Sequence, residues 1–374
     1  MNFKKSFTTT ICSVAVAALC SGALSAQEAA KEAPKQTPID VSGVLFFDYS
    51  YILESKDKLN DANTLKKRDS FNLNRAYVNF NKKIDDVWSA KVTLDGGTLA
   101  ASDTNKTSVE FVKNAYFQMN NDFGVAGLKI QGGMTGTPII GLIDGLNGSR
   151  WIYQNYIDKA SDVSDKSIDV SSADTGVKAE LNVMKMITIS GMYSNGDGYK
   201  KAATDQDTVT KAYYGVVNVT PISALNIFGY YHWHDTAMKS KENYVSFIGG
   251  GAAWSDKYFK IGAAYTMHTG KASDIKEESS LMEVWANVNL QQITNVPILI
   301  IGRYAMGEYE KKGTGTNKLK NEGSAIWGGA GYQVNSNVQF AAMYKVDTLS
   351  KKANDVKTSD MENSTFFIKS EIKF

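Results

Sequence analysis

The chain has 374 residues, 43% of them hydrophobic, and a slightly negative mean hydropathy of -0.27. After the first 26 residues, no apolar stretch approaches the roughly 20 residues that a membrane-spanning helix needs. The formal net charge of +2 gives no electrostatic case for nucleic-acid binding. Only three His and two Cys are present, so we predict no catalytic residue, no metal site and no cofactor.

The first 26 residues have the three parts of a secretory signal peptide. Lys4 and Lys5 form a basic region, and Ile11–Leu19 is a short apolar region. The small residues Ala23–Ala26 predict a cleavage site before Gln27. The apolar region is too short for a transmembrane anchor, so we expect the segment to be removed on export.

Removal of this segment changes the composition of the predicted mature chain. Both Cys12 and Cys20 leave with it, which excludes a disulfide scaffold. A lipoprotein anchor at Cys20 is disfavoured because the bulky Leu19 precedes it. The 41 basic residues fall by two to 39, which equals the 39 acidic residues. Residues 27–39 are rich in Ala, Glu, Lys and Pro and predict a flexible linker.

From residue 40 to residue 374, apolar and polar residues alternate with a period of two. In Glu362–Phe374, for example, Ile368 and Ile372 share one face, and Lys369 and Lys373 share the other. Successive side chains of a strand point to opposite sides, so this pattern predicts strands with one apolar and one charged face. We therefore predict an all-β protein.

Sixteen strands follow from this pattern, and short turns alternate along the chain with longer polar links. The predicted strands are 40–53, 69–81, 87–96, 107–119, 124–135, 173–183, 187–195, 208–219, 224–235, 243–254, 258–269, 280–290, 297–308, 323–334, 338–348 and 363–374. A soluble β-sandwich also alternates, but an even number of strands with short turns at one end and long loops at the other is typical of a transmembrane barrel. Lipid cannot form hydrogen bonds with the N–H and C=O groups at the edge of a sheet, so we expect the sheet to close.

Several segments resemble the trimeric bacterial outer-membrane porins. The signal peptide, the sixteen alternating strands and the terminal aromatic Phe374 carry the resemblance over nearly the whole mature chain. Phe71–Lys82, followed by Trp88–Asp95, is similar to two strands of the phosphate-selective porin superfamily. Phosphate-selective members resemble each other in having many pore arginines, and this chain departs from that pattern with four.

The resemblance implies a 16-stranded antiparallel barrel with short periplasmic turns, long extracellular loops and a third loop folded inward. It also implies export through the periplasm, residence in the outer membrane among lipid and lipopolysaccharide, and a homotrimer. The expected function is a weakly charge-selective, water-filled channel for passive diffusion of small hydrophilic solutes and ions. Two alternatives remain: a specific channel for anions such as phosphate or for sugars, and an adhesin or structural barrel with a plugged lumen.

The longest link, residues 135–172, is the predicted constriction loop. Structureless loops of this length are uncommon and usually functional. Pro138–Asp144 is apolar for an exposed loop, which favours a segment packed inside the barrel. The alternative is a surface loop with a short helix at 150–160.

Strand phase selects the side chains that we expect to line the pore, where rings of charge set ion preference. The predicted pore-lining and constriction residues are Arg75, Lys91, Lys129, Lys178, Glu180, Glu283 and Arg303 on the wall, and Asp144, Arg150 and Asp158 on the loop.

Lys113 is the exception to the pattern, since it shares a strand face with Phe111, Ala115 and Phe117. An outward Lys near the bilayer midplane would cost about 2–4 kcal/mol. Either a β-bulge shifts the alternation, or this face is buried between protomers.

Overall fold

The structure is a computed structural model. It describes residues 38–59, 62–63, 68–98, 108–158, 161–164, 170–199, 210–235, 243–272, 274–313 and 318–374. The predicted signal peptide at 1–26, and all but the last two residues of the predicted linker at 27–39, lie outside the described residues. No helix in these ranges is long and apolar enough to cross a bilayer.

The sixteen predicted strands are confirmed, because each predicted range overlaps one long strand of the described chain. The strands are β1 Asp40–Asp57, β2 Arg68–Lys83, β3 Trp88–Thr98, β4 Ser108–Asp122, β5 Ala126–Gly136, β6 Ala173–Val183, β7 Ile187–Ser194, β8 Ala212–Ile222, β9 Leu225–Asp235, β10 Tyr244–Ser255, β11 Phe259–Ala272, β12 Ile275–Asn289, β13 Ile298–Lys312, β14 Lys318–Gln333, β15 Val338–Ala353 and β16 Val356–Lys373. A two-residue strand, Ala62–Asn63, also pairs with β1. The helices in the described ranges are α1 Pro138–Asn147, α2 Ser161–Ser164 and α3 Gln291–Thr294.

The sheet closes on itself. Each strand pairs antiparallel with the next, and β16 pairs with β1, with Val44 opposite Lys373 and Ile52 opposite Thr365. Closure leaves no long edge of unpaired N–H and C=O groups, which hydrocarbon could not satisfy. The predicted 16-stranded antiparallel barrel is therefore confirmed.

Burial on this barrel is the inverse of burial in a water-soluble protein. On β16, Ile368 is 48% exposed, whereas its neighbour Lys369 is 6% exposed. On β15, Tyr344 is likewise exposed and Lys345 is buried. An outer face of exposed apolar side chains is the face that lipid covers, while the charged side chains point into the lumen.

Some links are shorter than the predicted strand boundaries imply. The predicted strands 338–348 and 363–374 leave residues 349–362 as a link, whereas β15 and β16 continue to a two-residue turn at Asn354 and Asp355. Both residues have positive φ, 50° and 64°, as a type I′ hairpin turn requires. In the same way, β11 and β12 extend into residues 270–279, which the predicted strands left as a link.

A β-bulge in β4 settles the orientation of Lys113. Thr93 pairs with Asn114, but the next residue, Leu94, pairs with Val112, so Lys113 is an extra residue without a partner in the ladder. The bulge reverses the alternation from this point, and the Lys113 ammonium donates a hydrogen bond to the hydroxyl of Tyr77 at 2.6 Å. Of the two explanations above, the structure shows the bulge.

The seam between β16 and β1 is closed by the terminal residue. Gly43 N–H donates to Phe374 O at 2.7 Å, and Phe374 N–H donates to Gly43 O at 3.1 Å. A Cβ atom at Gly43 would overlap the ring of Phe374. The glycine therefore lets the terminal aromatic ring lie flat across the neighbouring strand.

We expect Gly43→Val to destabilise the folded barrel by about 1–3 kcal/mol, because the new side chain displaces the Phe374 ring. The urea midpoint of unfolding from lipid vesicles measures this change. Gly328→Val is the matched control, because a Cβ at Gly328 has no neighbour within 4 Å. Equal midpoints for the two variants would contradict a special role for the seam.

Candidate functional site

The segment between β5 and β6 folds into the barrel. It begins with α1, which has Pro138 at its first turn and ends at Gly148, whose φ of 70° and N–H bond to Asp144 O form a left-handed cap. Ile139 and Ile143 of α1 are fully buried. The helix packs against the inner face of β7, β8, β10, β11 and β12.

The inner wall beneath α1 is apolar, which explains why the loop stays inside. Phe228, Phe247 and Trp285 project inward from β9, β10 and β12 and are buried with the helix in one cluster. A second cluster joins Trp151 and Tyr153 of the loop to wall residues of β1 and β13–β16. Farther along, α2 packs against β13, β14 and β15. The loop therefore covers the wall from β7 through β16 to β1.

Polar anchors fix the two ends of α1. At the start of the segment, the Thr137 hydroxyl donates to Ser171 O at 2.8 Å, and Lys178 of β6 donates to Gly136 O at 2.9 Å. At its far end, the Asn287 amide donates to Asn147 O at 2.8 Å and to the Ser149 hydroxyl at 2.9 Å.

Arg303 and Glu283 form the central anchor of the loop. Their side chains are 1% and 5% exposed, and Arg303 Nη2 lies 2.8 Å from Glu283 Oε1. Arg303 Nη1 donates to Gln154 O at 2.7 Å, and the guanidinium lies 4.1 Å and 3.8 Å from the ring centroids of Tyr153 and Tyr156. Both charges were predicted as pore-lining; they point inward, and the loop buries them.

Arg150 organises the tip of the loop. Its Nη1 lies 3.0 Å from Asp144 Oδ2, and its Nη2 lies 2.6 Å from Asp158 Oδ2. The Asn155 amide also donates to Asp144 Oδ1 at 2.7 Å. Burial raises the pKa of the Asp144 carboxyl, and the Arg150 guanidinium opposes that rise. The three predicted constriction residues of the loop thus form one bridged group with a formal charge of -1.

A second charged group lies on the wall at β2–β4. Arg75 Nη1 is 2.5 Å from Asp95 Oδ2, and it donates to the hydroxyl of Tyr199 at 2.8 Å. The Tyr199 hydroxyl in turn donates to Asp95 Oδ2 at 3.0 Å. Arg75 and the loop residue Arg150 repel the Lys113 ammonium, whereas Asp95 and the loop residue Asp158 attract it. The loop tip and this wall therefore face each other within electrostatic range.

The remaining predicted residues lie on β3, β5 and β6. Lys129 and Glu180 form an ion pair of 3.0 Å, with side chains 36% and 25% exposed. Lys91 is partly exposed and lies on the inner face of β3 together with the buried Thr93, whereas the exposed Val92 between them lies on the outer face. Lys178 anchors the loop, as described above. The side chains of Lys91, Lys129 and Glu180 on this part of the wall are therefore accessible to solvent.

Two participants were not among the predicted site residues. Lys113 has the phase of the outer face in the sequence, where a bulge was one of two explanations, because the alternation of residues does not locate a bulge. Tyr199 lies in the link between β7 and β8, where its reach to Arg75 depends on the tertiary fold. His232 and His268 are buried on the inner wall, and the described residues contain no group of three or more His, Cys, Asp or Glu placed to hold a metal ion.

Comparison with known proteins gives a match in structure but not in sequence. No family model and no curated protein matches the chain. The trimer form of OmpT, an outer membrane protein of Vibrio cholerae, superposes with a TM-score of 0.59 at 12% identity, covering 90% of this chain and 99% of its own. The anion-selective porin of Comamonas acidovorans gives the same TM-score, identity and coverages. OmpF of Salmonella typhi gives 0.58 at 11% identity, covering 90% and 97%.

The chain has the porin fold. At 11–12% identity, this likeness concerns the architecture of the barrel and not the residues that line it. The function of this chain therefore depends on the residues of its own lumen.

We expect Arg303→Met to release the loop, because it leaves Glu283 buried without a partner, at a cost of about 3–5 kcal/mol. Limited proteolysis of the folded barrel in vesicles should then cleave the segment 137–172 faster than in the wild type. Lys357→Met is the control, since it breaks a more exposed pair, with Asp360 on β16. Cleavage that is equally slow in all three proteins would show that Arg303 does not hold the loop.

Proposed function

We propose that the protein is an outer-membrane channel through which small hydrophilic solutes and ions diffuse passively. The observation that carries this proposal is the uneven cover of the lumen. The loop covers the wall from β7 through β16 to β1, whereas Lys91, Lys129 and Glu180 on β3, β5 and β6 are partly exposed. A plugged, purely structural barrel would bury these charges as it buries Arg303.

The chemistry of this open side supports weak charge selectivity. Cations and carboxylates lie close together on the wall and on the loop tip, as in the pairs of Arg75 with Asp95 and Lys129 with Glu180. Such a lining replaces part of the hydration of any small polar solute without holding one charge sign strongly. We therefore favour general diffusion over tight binding of a single substrate.

In planar bilayers, we expect steady single-channel conductance that rises linearly with salt concentration. A passive aqueous pore has no site to saturate, so current follows the number of ions present. Conductance that saturates, or that phosphate or sugars block, would instead favour a substrate-specific channel. A folded barrel without any conductance would rule out both types of channel and favour the adhesin or structural barrel.

We further propose that the mature chain begins at Gln27 and assembles as a homotrimer among lipid and lipopolysaccharide of the outer membrane. The small-residue site before Gln27 and the trimer form of a protein with the same fold support this. Native mass spectrometry of the protein extracted from outer membranes should give three subunits, each lacking residues 1–26. A complex of another size, or subunits that retain Met1, would contradict the respective part of this proposal.

A further inference from the structure

The inward face of β4 carries a line of uncharged hydrogen-bonding side chains. Asn114, Tyr116, Gln118 and Asn120 follow one another at every second position, whereas Phe117 between them is 52% exposed on the outer face. At about 3.4 Å per residue, the line extends for about 20 Å along the strand. It therefore follows the lumen wall from the β4 bulge to the short turn before β5, and we call these four residues the amide track.

A chain of hydrogen bonds orients the amides of the track. The Thr135 hydroxyl donates to Gln131 Oε1 at 2.7 Å, and the Gln131 amide donates to Gln118 Oε1 at 2.6 Å. The Gln118 amide then donates to Asn120 Oδ1 at 3.0 Å. Because the donors all run in one direction, each bond polarises and strengthens the next.

The buried end of this chain supports an accessible end. Thr135 and Gln131 are 0% and 6% exposed, whereas Gln118 is half-buried and Asn120 is exposed. A glutamine side chain carries two N–H donors and two acceptor lone pairs on its oxygen. The chain of bonds uses one donor and one lone pair of Gln118, so one of each remains for a solute in the lumen.

The neighbours of the track continue its chemistry. In the ladder, Gln118 lies between Ser89 of β3 and Gln131 of β5, so a hydroxyl and an amide flank it. Higher on the wall, the buried Thr93 hydroxyl donates to the oxygen of the half-buried Asn79 at 2.8 Å, which turns the Asn79 N–H groups away from Thr93. Among the charged neighbours, Lys91 lies opposite Tyr116.

An ion and an uncharged polyol interact differently with such a lining. Beside uncharged amides, an ion loses part of its hydration and gains no opposite charge in return. A polyol exchanges hydrogen bonds with water for hydrogen bonds with amides, at little net change in free energy. Because the loop covers the wall from β7 through β16 to β1, a solute in the proposed channel passes along the wall of β2–β6, where the track lies.

We infer that the amide track favours the passage of uncharged polyhydroxylated solutes, such as sugar alcohols and monosaccharides, over ions of equal size. The inference rests on the proposed channel function and names the class of solute that this lumen admits most readily. Each contact is a single hydrogen bond that exchanges with water, so the track speeds passage without holding the solute. Tyr116 adds a ring that has both an apolar face and a polar hydroxyl.

The test is the swelling rate of proteoliposomes in sorbitol, sodium gluconate and N-methylglucamine chloride. The organic solutes share a hydroxylated hexose-derived chain and differ in charge. In the wild type, sorbitol should enter faster than gluconate and faster than N-methylglucamine. This ranking tests the inference without any substitution.

The double variant Gln118→Ala/Asn120→Ala distinguishes hydrogen bonding from pore width. It removes two amides of the track, so the rate advantage of sorbitol over both ions should fall roughly threefold. A lumen wall that only limits size predicts the opposite for sorbitol, because shorter side chains widen the lumen and speed its entry. Gln292→Ala removes an amide from the exposed surface of α3 and should leave the three rates unchanged.

The outcomes separate this inference from the proposed function. A wild type that conducts KCl but admits sorbitol no faster than the two ions overturns the role of the track and leaves the channel intact. A double variant that folds and keeps the full advantage of sorbitol also overturns it. A wild type that folds and conducts no KCl overturns the channel itself.

Discussion

Every feature of this molecule depends on one constraint, which is that backbone N–H and C=O groups within hydrocarbon need partners inside the protein. The chain meets this constraint by pairing β16 with β1, so that no long edge is left open. Closure creates an inner surface that never meets lipid. The outer face can then be uniformly apolar, and the inner face is free to hold buried aromatic rings, ion pairs and a folded loop.

The loop is held in place by packing and electrostatics together. Ile139 and Ile143 cover Phe247 and Trp285, which would otherwise meet water, and this burial is the larger stabilising contribution. The pair of Arg303 with Glu283 orients the loop more than it stabilises it, because the desolvation of two charges offsets much of their attraction. The hydrogen bond from Arg303 to Gln154 O fixes the position of the loop along the barrel axis.

The strands could be predicted from the sequence because each residue faces one of two very different environments. Ile368 and Lys369 differ in polarity for that reason, and the alternation marks the strand whatever its neighbours are. The turn at Asn354 and Asp355 has a signature in the sequence, since adjacent Asn and Asp tolerate positive φ. It was not predicted, because the polar residues around it resemble those of a loop. Which inward side chains are exposed in the lumen could not be predicted in this way. Arg303 and Lys91 both point inward by strand phase, and only the path of the loop decides which of them is buried.

The bulge at Lys113 shows why composition is a poor guide to selectivity. The 39 basic and 39 acidic residues of the predicted mature chain include many that never approach the lumen, such as Lys312 and Glu310, which pair at the outer ends of the strands at 3.3 Å. An ion in transit responds to charges within about one Debye length, roughly 8 Å at physiological ionic strength, so the balance at the loop tip outweighs the balance of the whole chain. One extra residue in β4 moves one charge from the lipid side to the lumen. That move brings one basic side chain to the wall that faces the loop-tip group of formal charge -1, without any change in the sequence count.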